Sequence, residues 1–209
     1  MLQEPKRAPV AENMDTTTHS SNATKHAIEF ASVLGSLLFV FLLIARISQG
    51  LNGSLISWFL AAESWVVAAR LVFRRKQTKD SPAAIRLIAW LSAALPMMME
   101  TSGSLLPTIP GILLSIWSLF ALGDSFGVAP SNRGLVELGP YRFIRHPMYA
   151  GELLSLLGLC LFSPAILNWV VFAVFGVTVY IRIIEEETLI DGYYWYTRRV
   201  AWRLIPFIW

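Results

Sequence analysis

The sequence predicts an all-α fold: a polytopic membrane helical bundle of five to six transmembrane helices, the last two a tight hairpin, with a C-terminal interfacial tail. Three observations predict it. Hydrophobic residues make up 55% of the 209 residues and charged residues 15%, whereas about a quarter of a soluble domain is charged. Long apolar stretches recur along the chain. Lys and Arg gather in alternate connections between these stretches, which is typical of cytoplasmic loops.

The N-terminal segment, residues 1–26, is polar and rich in Ser, Thr and Asn. It lacks an apolar region near Met1, so no cleavable signal peptide is expected. Its composition predicts a disordered tail. Residues 27–126 are then predicted to form transmembrane helices 1–4, and residues 127–209 to form a C-terminal region of loop, helical hairpin and tail.

Six apolar stretches are candidates for the spans. They cover residues 27–45, 55–73, 87–106, 109–126, 148–162 and 166–184. A helix needs about 20 residues to cross the hydrocarbon core, or about 17 at the short end. Pro96 and Glu100 interrupt the third stretch and the fifth is short, so the count stays at five or six. Six spans would place both termini on the cytoplasmic side, because Arg46 is then the only Lys or Arg in the opposite loops.

The last two stretches are joined by Ser163-Pro164-Ala165, which predicts the tight hairpin because a proline ends one helix or starts the next. The polarity rises sharply after Ile184, so residues 185–209 are predicted to be the interfacial tail. The single cysteine, Cys160, excludes an internal disulfide and is expected to be buried and inert.

Residues 139–152 form the first of two clusters that could carry chemistry. His146 and Pro147 are predicted to open the fifth helix, with Pro147 in the first turn, where its missing N–H costs nothing. The free N–H groups of that helix end suit an anion. Gly151 lies one turn further on and lets a ligand or a helix approach.

The second cluster is residues 182–187, in which Arg182 and Glu186 are spaced i,i+4 on one helix face. An interfacial helix end whose charges pair is one interpretation, and a functional site is the other, because ionisable residues at membrane depth are functional candidates. Glu63 is expected to hydrogen-bond between helices. For Glu152, lining the same cavity as His146 and a purely structural role stay equally open.

Several motifs are absent from the sequence: HExxH, Walker A, GxSxG and GxGxxG. Neither a metal site nor a soluble dinucleotide-binding domain is therefore predicted. The basic residues flank apolar stretches instead of alternating with aromatic residues, so no nucleic-acid partner is expected.

The segment 133–151 reads RGLVxxGPYxxxRHPxYxG. It resembles the signature of the isoprenylcysteine carboxyl methyltransferases and their bacterial relatives. The similarity continues through an apolar hairpin, Arg182, the Glu pair, Tyr193-x-x-Tyr196 and Arg203-Leu204-Ile205-Pro206, and covers about 80 residues. Pieces of it also occur in phospholipid N-methyltransferases, sterol reductases and steroid 5α-reductase-like proteins.

The resemblance implies S-adenosylmethionine (SAM) as the cofactor, bound on the cytosolic side beneath the C-terminal tail. A lipophilic acceptor, a small molecule or a prenylated peptide, would enter from the membrane lipid. Arg182 would face the acceptor, and Glu186 would meet polar groups of the cofactor; these two are the implied catalytic residues. The implied cofactor contacts are Leu135, Val136, Tyr141, His146, Pro147, Met148, Tyr149 and Glu186.

The predicted function is an integral membrane SAM-dependent methyltransferase, with the carboxylate of a prenylated cysteine as the first candidate acceptor. Arg182 could hold such a carboxylate bidentately. The alternative is a phospholipid amine N-methyltransferase, in which Glu186 or Glu152 would be the base. An NADPH-dependent sterol or enone reductase and an inactive scaffold are further alternatives. Only six residues separate Glu186 from Tyr193, fewer than the family has, so whether Glu185 or Glu186 faces the cofactor stays open. The oligomeric state is not predicted.

Overall fold

The helices of the computed structural model follow the apolar stretches of the sequence. The structure describes residues 37–163 and 165–209, and these are mostly helical. The predicted tail, most of the first predicted span and Pro164 lie outside the described residues. The helices are α1, described over Leu37–Leu51, α2 Leu55–Val72, α3 Ala83–Ala94, α4 Leu105–Leu122, α5 Pro147–Cys160, α6 Ile166–Leu189 and α7 Tyr193–Arg199. Short 3-10 turns occupy Leu95–Met98, Gly123–Ser125 and Gly139–Arg142.

Three helices in the described part are long and apolar enough to cross a membrane: Leu55–Val72, Leu105–Ser125 and Ile166–Leu189. Three shorter apolar segments have 10–17 residues each: Leu37–Leu51, Ala83–Met98 and Pro147–Cys160. The prediction of a mostly helical membrane protein is confirmed. The count of five or six spans, the hairpin and the side of each terminus stay predictions.

The third predicted span, residues 87–106, is not one helix. The α-helix α3 ends at Ala94 and gives way to a 3-10 turn that contains Pro96, because a proline cannot donate the backbone hydrogen bond that would continue the helix. A new helix, α4, starts at Leu105. The sixth stretch is also longer than predicted, since α6 continues past Ile184 to Leu189. The three glutamates are therefore helical and do not belong to the tail.

Helices α4 and α5 pack with their backbones in direct contact at glycines. A Cβ added to Gly151 would lie 2.6 Å from the Gly111 carbonyl oxygen, and one added to Gly111 would lie 2.4 Å from the Ser155 nitrogen. Small residues let helices approach this closely in membranes. The position of α5, which carries the first cluster, is therefore fixed against α4.

Two loops meet at one end of the bundle. Strand β1, Lys79–Asp80, pairs antiparallel with β2, Ser131–Asn132. Asp191 joins them, because Lys79 Nζ lies 2.5 Å from Asp191 Oδ1 and Asn132 Nδ2 donates to Asp191 Oδ2 at 2.8 Å. The basic connection after α2, the loop before α5 and the end of α6 thus share one end, as the distribution of Lys and Arg requires.

The chain after α7 returns to the start of α5. The backbone N–H groups of Arg145 and His146 donate to the carbonyls of Trp202 and Arg203 at 2.8 and 2.9 Å. The Tyr196 hydroxyl donates to the Tyr141 carbonyl at 2.7 Å. The C-terminal segment is thereby tied over the first cluster.

Candidate functional site

The first cluster is organised around His146, which precedes α5 as its N-cap residue, with Pro147 as the first helical residue. The imidazole is buried, with 4% of its surface exposed. Two consecutive acids of α6 face it: His146 Nδ1 lies 3.6 Å from Glu186 Oε2, and Nε2 lies 3.3 Å from Glu187 Oε1. Burial lowers the pKa of His146, but the two carboxylates beside it outweigh burial and raise the pKa above its ordinary value.

Glu187 is where the C-terminal segment attaches to the bundle. Arg203 donates to both of its carboxylate oxygens, from Nε at 2.9 Å and from Nη2 at 2.8 Å. Arg145 Nη1 lies 3.3 Å from Oε1, and the Tyr193 hydroxyl donates to the same oxygen at 3.3 Å. A bidentate arginine–carboxylate pair is among the strongest polar contacts in proteins. Sequence reasoning did not single out this residue.

Glu186 has different partners. The Tyr149 hydroxyl donates to Glu186 Oε1 at 2.5 Å, and no arginine hydrogen-bonds to Glu186 within the described residues. Of the two interpretations of the second cluster, direct pairing of Arg182 with Glu186 is therefore not what the structure forms. The Tyr149 ring lies between the two, with the Arg182 guanidinium over its face at 4.6 Å from the centroid.

A cavity opens beside Glu186, which we call the outer cavity. It occupies about 670 Å³ counted with the open space at its mouth. Its walls are the loop before α5, the first turn of α5, the end of α6 and α7. Seven of the eight implied cofactor contacts line it: Leu135, Val136, Tyr141, His146, Met148, Tyr149 and Glu186. The eighth, Pro147, is fully buried instead and starts the helix.

Other residues of the outer cavity were not among the predicted site residues. Tyr193 and Tyr196 place aromatic rings in its wall, Ile190 is apolar, and Arg133 brings a cation. Burial raises the pKa of both tyrosines, so their hydroxyls stay protonated donors at neutral pH. Burial, followed by the nearby Arg74, lowers the pKa of Arg133 to about 10, which still leaves it charged.

Arg182 does not line the outer cavity. Its guanidinium is 3% exposed, and Nη2 donates to the Val128 carbonyl at 2.8 Å. It faces a second space of about 780 Å³, which we call the inner cavity, enclosed chiefly by α1, α2, α5 and α6. Phe126 and Met148 line both cavities, so these two side chains form the wall between them.

Comparison with known proteins supports a membrane methyltransferase. The family model described as Phospholipid methyltransferase matches residues 101–195, the range that holds α4, α5 and α6. Phosphatidylethanolamine N-methyltransferase B of Dictyostelium discoideum is 36% identical over an alignment of 85 residues, which covers 37% of this chain and 42% of that relative. The matched part thus spans less than half the length of the relative. Neither match shows the isoprenylcysteine carboxyl methyltransferase family, so that finer assignment and carboxyl O-methylation are not supported.

Proposed function

We propose that this chain is an integral membrane methyltransferase that uses SAM to methylate the amine of a phospholipid. The observation that carries the proposal is the outer cavity, where Glu186, which no arginine of the described residues hydrogen-bonds, lies among aromatic rings. This cavity is built mainly from the segment that matches the phospholipid methyltransferase model. The sequence placed an amine acceptor second, and the comparisons favour it over the carboxylate.

The residues of the outer cavity fit SAM, which carries an adenine, an amino-acid end and a positively charged sulfur. Leu135, Val136 and Ile190 offer the apolar surface that a base requires. Tyrosine faces and the Glu186 carboxylate attract a cation, and Arg133 can pair with a carboxylate. When bound, SAM would supply the methyl group: the amine lone pair forms the new bond to the methyl carbon, and the electrons of the broken carbon–sulfur bond stay on sulfur.

The protein's own part in such a reaction is to fix charges and to hold the proton that the amine loses. The Tyr149 hydroxyl and the His146 imidazole hold the Glu186 carboxylate in place, so no reorganisation is needed when a cation binds. A protonated amine must lose one proton before its lone pair can attack. Glu186 and Glu152 line the outer and inner cavities respectively and are the candidate acceptors of that proton.

The experiment is methyl transfer with purified protein in nanodiscs that contain phosphatidylethanolamine, using SAM with a labelled methyl group. The labelled methyl group should stay on the headgroup nitrogen through base treatment and should not be released as methanol, because an N-methyl bond is not an ester. Glu186→Gln should lower kcat/KM about 10- to 100-fold, since hydrogen bonds to charged groups contribute about 1.5–3 kcal/mol. Tyr149→Phe should lower it about 2- to 10-fold, because a neutral hydroxyl contributes less.

Glu185→Gln is the matched control, since Glu185 lies on the same helix but does not line the outer cavity, and it should retain the wild-type rate. Folded wild-type protein that neither binds SAM in calorimetry nor labels phosphatidylethanolamine refutes the proposal. Base-labile label on a prenylated peptide would favour the carboxyl reaction instead. Stabilisation by NADPH and not by SAM in a thermal-shift assay would indicate a reductase.

We also propose that the outer cavity faces the cytoplasm, because it opens at the end of the bundle that carries the basic loops. Lys79 lies in one of those loops and is exposed. A Lys79→Cys variant should react with a membrane-impermeant maleimide in inverted vesicles and not in intact cells. Cys160 is buried, so it should give little background. Labelling in intact cells would place this end outside.

A further inference from the structure

Four ionisable side chains line the inner cavity. Its lining includes Arg46 from α1, Glu63 from α2, Glu152 from α5 and Arg182 from α6. We propose that it is the acceptor site, which holds the ammonium end of a zwitterionic lipid headgroup between Glu63 and Glu152. The proposal deepens the proposed function, on which it rests, by naming the residues that would recognise the amine.

The four charges interact with one another across the cavity. Arg46 is within electrostatic reach of Glu63, Glu63 of Glu152, and Glu152 of Arg182. The two cations thus stand at the ends of the series and the two carboxylates are neighbours in the middle. Adjacent like charges repel, and a cation placed between the carboxylates would remove that repulsion. Ionisable groups at membrane depth also mark functional sites more often than structural ones.

Two polar atoms in this series lack a partner. Within the described residues, Glu152 Oε2 and Arg182 Nε are buried and make no hydrogen bond. Arg46 differs, because its guanidinium donates to Gln49 at 2.9 Å and to the Pro96 carbonyl at 2.5 Å. Buried polar atoms of proteins almost always have partners. The unpaired carboxylate oxygen requires a donor and the unpaired guanidinium nitrogen requires an acceptor.

A zwitterionic headgroup supplies both of these. Its ammonium donates up to three hydrogen bonds, which matches Glu63 and Glu152, while its phosphate oxygens can accept from an arginine. An anionic headgroup without an amine would leave the two carboxylates facing each other. The charges of the cavity therefore favour phosphatidylethanolamine over phosphatidylglycerol.

A purely structural network is the competing explanation. The sequence predicts that Glu63 hydrogen-bonds between helices, and Ser115 of α4 does interact with its side chain. Glu63 also lines the cavity. In a purely structural network the helices would pack closely around the four side chains, whereas here these side chains line a cavity.

The position of the inner cavity also suits methyl transfer. Phe126 and Met148 are the side chains that it shares with the outer cavity. Methionine is unbranched and adapts its shape readily. An amine between Glu63 and Glu152 would therefore be separated from the proposed cofactor site by a single layer of side chains.

The test measures lipid binding apart from methyl transfer. Short-chain phosphatidylethanolamine and phosphatidylglycerol are titrated into the purified full-length protein in detergent, without SAM. Wild type should bind phosphatidylethanolamine more tightly. Glu63→Gln and Glu152→Gln should each weaken that binding at least about 10-fold and leave the weaker phosphatidylglycerol binding unchanged. Glu100→Gln, at an exposed glutamate outside the cavity, should match wild type.

SAM binding by each variant shows whether the outer cavity is intact and hence whether the protein is folded. If the glutamine variants do not fold, Ser64→Leu fills part of the inner cavity without changing a charge, and it should also weaken phosphatidylethanolamine binding. Equal phosphatidylethanolamine affinity in wild type and in folded variants overturns the proposal, even if all of them methylate the lipid. If the variants bind phosphatidylethanolamine more weakly than wild type does, but neither they nor wild type transfer a methyl group, the site is upheld and the proposed function is refuted.

Discussion

The attachment of the C-terminal segment should depend on one carboxylate, that of Glu187. Its side chain is 13% exposed and accepts hydrogen bonds from Arg203 and Arg145. Glu187→Gln removes the charge and turns an amide donor toward two guanidinium groups. Each charge-assisted hydrogen bond contributes about 1.5–3 kcal/mol, and neighbouring contributions are not additive. We expect the free energy that opens this segment to fall by about 2–4 kcal/mol, because Arg203 is partly exposed and screened by water.

Hydrogen exchange measures this opening directly. The amides of Arg145 and His146 are protected by the carbonyls of Trp202 and Arg203, so they should exchange only when the segment lifts. A loss of 2–4 kcal/mol corresponds to exchange about 30- to 700-fold faster. Amides in the middle of α4 should be unaffected, since they do not depend on the segment.

Glu185→Gln is the matched control for the same substitution two residues away. Glu185 makes none of the contacts that hold the segment, so this variant should exchange at the wild-type rate. Equal protection of Arg145 and His146 in Glu187→Gln and Glu185→Gln would refute the reasoning. It would show that the backbone hydrogen bonds hold the segment without the carboxylate.

Two further outcomes follow from the site and from the packing. The raised pKa of His146 means that its interaction with Glu186 and Glu187 stabilises the folded state fully below about pH 6.5 and is lost as the pH rises through the folded-state pKa. The difference in Tm between wild type and His146→Gln should therefore shrink as the pH rises above about 6.5, and a constant difference would contradict this. Gly151→Ala should lower Tm, because the added Cβ would lie 2.6 Å from backbone atoms of α4. At Gly176 on α6 an added Cβ would meet nothing within 4 Å, so Gly176→Ala should be neutral or stabilising by up to about 1 kcal/mol. Equal Tm values for the two variants would show that α4 and α5 can move apart.

The site was predictable where its residues are close in sequence. His146 and Pro147 were expected to open the fifth helix, and they do so because proline fits the first turn. Glu187 was missed because its partners come from elsewhere: Arg145 precedes α5, and Arg203 lies in a non-helical segment after α7. Helical periodicity along α6 relates each glutamate only to neighbours on the same helix. The role of Glu187 depends instead on tertiary contacts with residues outside α6.

The fold was predictable in its helices and less so in their ends. Apolar length located α2 and α6 well, since both begin within a residue of the predicted position. Apolar length gave the wrong helix end around Pro96, where α3 ends at Ala94 although the apolar stretch continues. The inner cavity could not be predicted, because Arg46 and Glu63 become neighbours only when α1 and α2 pack.

Glu186 and Glu187 are consecutive, yet about 100° of helix rotation separates their side chains, and this difference gives them separate tasks. Glu187 takes up the positive charges of Arg145 and Arg203, so those cations do not neutralise Glu186. The Tyr149 ring lies against the Arg182 guanidinium, and its hydroxyl donates a hydrogen bond to Glu186. The Glu186 carboxylate thus lines the outer cavity without a hydrogen bond from an arginine of the described residues, and Glu152 lines the inner one. A site that brings a sulfonium and an ammonium together must offset two positive charges, and the lining of each of the two cavities includes a glutamate.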